Sequence, residues 1–172
     1  MNSYSVPLTQ VVEDFHLKIC HASTDYEEVD IVVEEVTRPG IQFAGFFEHF
    51  ERLRLQVVGN VEFAYLSTLS HERSLEIFDQ LFSRKIPAMI FARNIEPTPE
   101  CLEMAQKHDI TILRCLESTS YLVSGITAYL KNALAPRISR HGVLVDPGLP
   151  PPREIEFSIE LVPGTGPISV AP

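Results

Sequence analysis

Up to Asp146 the chain alternates apolar runs of five or six residues with longer segments whose apolar positions recur at helical spacing. That alternation is the strongest constraint on the fold. Strands separated by helices of ten to sixteen residues need crossover connections, right-handed by rule, so the sequence predicts an α/β domain with a mostly parallel sheet flanked by helices. LKICHA (17–22), IVVEEV (31–36), RLQVV (54–58), AMIFA (88–92), ITILR (110–114) and GVLVD (142–146) are the strand runs, rich in β-branched and apolar residues. FAYLSTL (63–69) fits strand and helix equally.

Local punctuation fixes the helices. LTQVVEDF (8–15) reads as a short first helix. Ser70 can cap a helix carrying Leu75, Phe78, Leu81 and Phe82 on one side and ending near Lys85, before Pro87. Thr98 followed by Pro99 supplies a cap with proline at the first helical position, which predicts a helix over 99–108. Ser118 or Thr119 caps a further helix with Leu122, Ile126, Tyr129, Leu130 and Leu134 on its apolar face, and Pro136 stops it.

At 172 residues, 45% of them hydrophobic, the chain can bury one domain's core. Its formal charge of −9, with no cluster of Lys and Arg, argues against a nucleic-acid partner. Cys20, Cys101 and Cys115 form no CxxC pair, which disfavours a disulfide framework or a zinc site and fits buried thiols in a reducing compartment. With no leader-like N-terminus and no long apolar segment, the expected location is the cytosol, away from membranes.

Chemical motifs are sparse. His16, His21, His49, His71, His108 and His141 lack metal-ligand spacing, and Glu27, Glu28, Glu34 and Glu35 read as a solvated edge rather than a metal cage. Neither a GxSxG elbow nor a catalytic cysteine signature is present, so neither a catalytic residue nor a metal site is assigned. The turn Thr37-Arg38-Pro39-Gly40 has mechanical content: proline fixes φ, glycine permits positive φ, and together they would present Arg38 at a sheet edge. It is either a structural turn with a solvated arginine or an anion site. Arg38 and Gly40, with Arg93, Ser118 and Thr119 near other strand ends, are the candidate ligand-binding or interaction residues.

Four longer segments, VTRPGIQFAGFFEHF (36–50), RLQVVGNVEFAYL (54–66), ARNIEPTPECLEMA (92–105) and TSYLVSGITAYLKNALAPRISRHGVLVD (119–146), closely resemble the N-terminal domain of HPr kinase/phosphorylase. The resemblance runs in order over nearly all of residues 5–146. It implies a cytosolic bifunctional enzyme that phosphorylates and dephosphorylates a serine of the phosphocarrier HPr, in carbon catabolite regulation, and that assembles as a homohexamer using ATP and Mg²⁺. It also implies a domain similar to the first domain of the Mur ligases, whose Pro-Gly turn the 38–40 turn resembles. On that analogy the alternative function is sensing of a sugar phosphate or nucleotide sugar.

In that family HGVLVD leads into the kinase domain and, shortly after, a phosphate loop of the form GxxxxGK followed by Ser or Thr. Here seven of the thirteen prolines fall in residues 147–172, and the nearest approach to a phosphate loop, Gly164-Thr165-Gly166, has no following lysine. The resemblance therefore divides the chain into an N-terminal domain (1–136), the first strand of an otherwise missing kinase domain (137–146) and a foreign proline-rich tail (147–172). The tail resembles the segment before the reverse transcriptase in gypsy-type retrotransposon polyproteins. It is expected to be extended or disordered, with no partner specified for EFSIELV (156–162), and the truncated chain is expected to be catalytically inactive.

Overall fold

The computed structural model describes residues 4–144 and 155–161, the strands beyond residue 137 by their backbone. In chain order the elements of the first unit are β1 (Val6–Pro7), α1 (Leu8–Asp14), β2 (Lys18–His21), β3 (Asp30–Ile31), β4 (Val36–Thr37), α2 (Gly40–Phe43), β5 (Leu55–Val58), α3 (Asn60–Leu66), α4 (His71–Phe82), β6 (Ala88–Phe91), α5 (Pro99–His108), β7 (Thr111–Arg114) and α6 (Thr119–Leu134). Five strands form one sheet in the order β2-β7-β6-β5-β4. β4 through β7 pair in parallel, and β2 joins β7 antiparallel at the edge. The α/β reading with a mostly parallel sheet therefore holds.

Every residue of β5 and β6 is buried, as expected where helices cover both faces of a sheet. Because side chains alternate across a strand, the two faces carry separate cores. Leu55, Val57, Ala88, Ile90 and Leu113 pack on one side with Val11 and Val12 of α1 and Leu122, Ile126 and Leu130 of α6. Val58, Met89, Phe91 and Ile112 pack on the other with Phe78 and Phe82 of α4 and Cys101 and Met104 of α5. The apolar stripe read along α6 is thus its buried face.

The caps behave as their chemistry requires. Ser70 accepts the Arg73 N–H at 3.2 Å, Thr98 accepts the Cys101 N–H at 3.2 Å, and α5 spans Pro99–His108. Helix α4 ends three residues before Lys85, which itself takes a left-handed φ of 57° in the turn.

Three local readings change. The 31–36 run is not one strand: Ile31 ends β3, which pairs antiparallel with β1, whereas Val36 begins β4 in the main sheet. Ile31 is fully buried but Val32, Glu34 and Glu35 are exposed, so only the ends of this β-branched run find a partner and a core. The ambiguous 63–69 segment belongs with helix α3, where Glu62 reaches back to the Gly59 N–H and closes its first turn. Gly40 does not use a left-handed φ; the positive-φ glycine of this region is Gly45, at 91°. Pro39 precedes a four-residue helix instead, with Gly40 N–H donating to the Arg38 carbonyl at 2.9 Å.

The chain divides into two units at Leu134 and Ala135. In the second, β8 (Ile138–Leu144) pairs antiparallel with β9 (Ile155–Leu161), from Ile138 opposite Leu161 to Leu144 opposite Ile155. The strand read at 142–146 therefore starts earlier, and the run at 156–162, left without a partner in the sequence, acquires one. Two β-rich segments joined by a proline-containing connection satisfy each other's backbone groups, a pairing that periodicity within either run does not reveal. Val145, Asp146 and the remaining tail positions lie outside the described residues.

Candidate functional site

The parallel strands β4 to β7 end on one side of the sheet, so Arg38, Gly59, Arg93 and the 115–119 turn all lie along that rim. Open α/β sheets bind ligands at such carboxyl ends. Arg38 follows the edge strand β4, as the turn motif predicted, but it is not simply solvated. Its Nη2 donates to Glu62 Oε2 at 2.9 Å and forms an ion pair with Oε1 at 2.8 Å. The arginine is 45% exposed, the glutamate 6%.

Glu62 also accepts the Gly59 N–H at 2.9 Å. Burial pushes its carboxyl pKa up, but the hydrogen bonds from Arg38 and Gly59, together with the guanidinium charge, outweigh burial and hold it below the usual carboxylate range. One buried carboxylate thereby ties the loop after β4 to the start of α3.

The turn after β7 reaches the same place. Ser118 accepts the Tyr121 N–H at 3.2 Å and is the cap of α6; Thr119 and Ser120 form its first turn. Thr119 is 7% exposed and lies against Gly59, where an added Cβ would stand 2.4 Å from its Oγ1. Arg38, Thr119, Ser120, Val123 and Ser124 enclose a shallow cavity of about 220 Å³.

The candidate residues therefore separate. Arg38 and Thr119 converge on this cavity. Gly40 opens α2 and has free space around its α-carbon, and Ser118 acts through its cap. Arg93 and Asn94 both take a left-handed φ of 55° after β6, with N–H groups donating to Glu117 O at 2.8 Å and Cys115 O at 2.6 Å. Arg93 is exposed on the rim and does not line the cavity. Sequence reasoning missed Glu62, Gly59 and Ser124. A glycine three residues before a glutamate at a helix start was the one available signal for the first two.

A larger cavity of about 400 Å³ lies elsewhere, bordered by Ser23, Asp30, Lys85 and Asp109. These four already hold local partners: Ser23 bonds Thr111 at 2.9 Å, Asp30 accepts from Ser5 at 2.7 Å, Lys85 donates to His108 O, and Asp109 accepts from Thr24. Glu27, Glu28, Glu34 and Glu35 are all exposed, and Glu35 pairs with Arg54. Among the described residues no three His, Cys, Asp or Glu side chains are grouped to hold a metal, and no helix is long and apolar enough to cross a membrane.

Four parallel strands with one antiparallel edge strand, layered between helices and carrying a polar rim at the strand ends, define an open three-layer α/β domain. Residues 6–130 match the family model described as HPr Serine kinase N terminus, and the chain belongs to that family. It is 38% identical over 143 residues to an HPr kinase/phosphorylase of Lachnoclostridium phytofermentans, covering 83% of this chain and 46% of that protein. A Streptococcus thermophilus HPr kinase/phosphorylase is 34% identical over 142 residues, with the same two coverages, 83% and 46%. The chain thus spans less than half the length of these curated relatives. Among solved structures, the CBS and DRTGG domains of the Clostridium perfringens pyrophosphatase regulatory region, complexed with the activator diadenosine tetraphosphate, superpose with a TM-score of 0.50 at 15% identity, over 70% of this chain and 45% of that one. At that identity the likeness is one of fold.

Proposed function

We propose that this chain is a regulatory and interaction domain of the HPr kinase/phosphorylase system and does not itself transfer phosphate. One observation carries the reading: the family match covers 6–130, while none of the 172 residues forms the GxxxxGK loop that phosphoryl transfer requires. Among the described residues the cavity on the rim is lined by an arginine neutralised by Glu62 and by no lysine or acid.

On this reading the partners are subunits of the hexameric enzyme and, through them, phosphocarrier HPr, in the cytoplasm. The test is to co-express a tagged form of this chain with an untagged full-length HPr kinase/phosphorylase, and to incubate the purified chain alone with HPr, ATP and Mg²⁺. Co-purification of the enzyme with the chain, and no phosphoserine on HPr from the chain alone, is the expected result. Turnover by the chain alone would overturn the reading, as would failure to enter the oligomer.

A further inference from the structure

One exposed face of the first unit is apolar and carries no free charge. Val61, Ala64 and Tyr65 recur at helical spacing on the outer side of α3, and Ile41, Ala44 and Phe46 are exposed on and just after α2, which packs against α3. The Phe46 N–H donates to the Ile41 carbonyl at 3.2 Å, which keeps these two residues together. Residues 40–47 (GIQFAGFF) and 63–70 (FAYLSTLS) contain no charged side chain, and Glu62 is buried and paired with Arg38. At the border, Arg73 lies against Gly45 and is itself paired, with Glu76 at 2.7 Å.

We propose that this α2–α3 face is a contact surface for a second copy of this chain. Its size supports a contact: Ile41 is 63% exposed, Phe46 51%, Val61 72% and Tyr65 40%. At about 150–250 Å² for a large side chain, the four present roughly 400 Å² of mostly apolar surface, a size at which patches on soluble proteins are often functional. Charge selects the partner. Each copy carries a formal charge of −9, so two copies repel over much of their surfaces and approach at least cost where neither presents a charge. A basic partner would be drawn instead to carboxylates, which this face does not offer. A second copy brings an equal uncharged patch, and a two-fold axis sets the two against each other, with the small Ala44 and Ala64 leaving room for larger side chains opposite. Two such patches fall short of the roughly 1,600 Å² typical of a stable interface, so the dimer is weak. The inference concerns the domain alone and stands whether or not the chain joins a larger enzyme.

The test is sedimentation equilibrium of the 172-residue chain between about 10 µM and about 1 mM, the range in which so small an interface associates, at low and at high salt. A monomer–dimer equilibrium is expected, and it should strengthen with salt, which screens the repulsion between copies. Val61→Glu and Ile41→Glu each place a charge at a well-exposed position that leaves the fold intact, and each should weaken the dimer by about tenfold or more. Leu116→Glu, at a side chain 79% exposed on the turn after β7, should leave it unchanged. Monomer at every concentration, a dimer that Val61→Glu does not weaken, or association that weakens with salt would overturn the proposal. So would a chain that stays monomeric yet binds the other half of a full-length HPr kinase/phosphorylase through Val61, which would assign the face to that half.

Discussion

Removing Arg38 and removing the charge of Glu62 should have unequal consequences, although the two groups form one ion pair. Arg38 is 45% exposed, so in a Glu62→Gln variant the guanidinium turns to water. The amide oxygen of the introduced glutamine still accepts the Gly59 N–H, so Glu62→Gln should cost about 1 kcal/mol. When Arg38 becomes Ala, the Glu62 carboxylate stays buried, 6% exposed, with backbone N–H groups, that of Gly59 among them, as its remaining donors. Breaking a buried pair costs about 3–5 kcal/mol, and the exposure of one partner places this pair at the low end, about 3 kcal/mol. That cost of about 3 kcal/mol lowers the melting temperature of Arg38→Ala by roughly 6–12 °C for a chain of this size.

The pH dependence gives an independent check. In the wild-type protein the Glu62 pKa is depressed, so the pair's contribution is present above the unfolded carboxyl pKa, about 4.3, and is lost as pH falls through the lower folded value. In Arg38→Ala the guanidinium no longer opposes burial and only backbone N–H groups do, so the folded pKa rises relative to the intact pair, and the penalty of the buried carboxylate fades as acid protonates it. Urea unfolding followed by circular dichroism at about pH 7 and about pH 4 should therefore show the cost of Arg38→Ala shrinking in acid. The double variant should be no less stable than Arg38→Ala alone. Equal costs for the two single substitutions, or a cost of Arg38→Ala that does not change with pH, would refute the reasoning.

Further outcomes follow from the same contacts. Gly59→Ala places a Cβ 2.4 Å from Thr119 Oγ1 and should cost about 2 kcal/mol or more, whereas Gly40→Ala, with nothing within 4 Å, should be neutral or slightly stabilising in urea titrations. Ser70→Ala and Thr98→Ala each remove a cap to a backbone N–H and should cost about 1 kcal/mol apiece by the same assay. A thiol-reactive dye should label Cys20 first in the native protein. Cys101 and Cys115 are buried, with thiol pKa values pushed up by burial, and should react only on unfolding, as mass spectrometry of the labelled peptides would show. Ending the chain after Pro136 removes most of the second unit and should leave the melting temperature of the first unchanged in calorimetry.

Much of the fold was legible because its signals are local. Thr98-Pro99, Ser70 and Pro136 set helix limits through chemistry that acts within one turn, and the stripe on α6 requires only helical periodicity. The 31–36 run shows where such signals stop. Its β-branched residues favour extended backbone, but whether Ile31 and Val36 share a strand depends on partners at Val6 and Leu55. The hairpin of β8 and β9 is a second case, since each run specifies a strand but not its neighbour.

The candidate site was half legible for the same reason. A turn motif picked out Arg38, and strand-end placement suggested Thr119, but neither feature says that the two share a cavity or that a carboxylate 24 residues from Arg38 engages its charge. The amino-acid sequence by itself determined helices α1, α4, α5 and α6, the strands β5, β6 and β7 and the caps at Ser70 and Thr98, because those choices rest on interactions within a few residues. The tertiary structure alone decided that Arg38 meets Glu62 and that Gly59 makes room for Thr119. Those outcomes depend on strand order, which places the ends of β4 and β5 beside the first turn of α6 only once both faces of the sheet are covered.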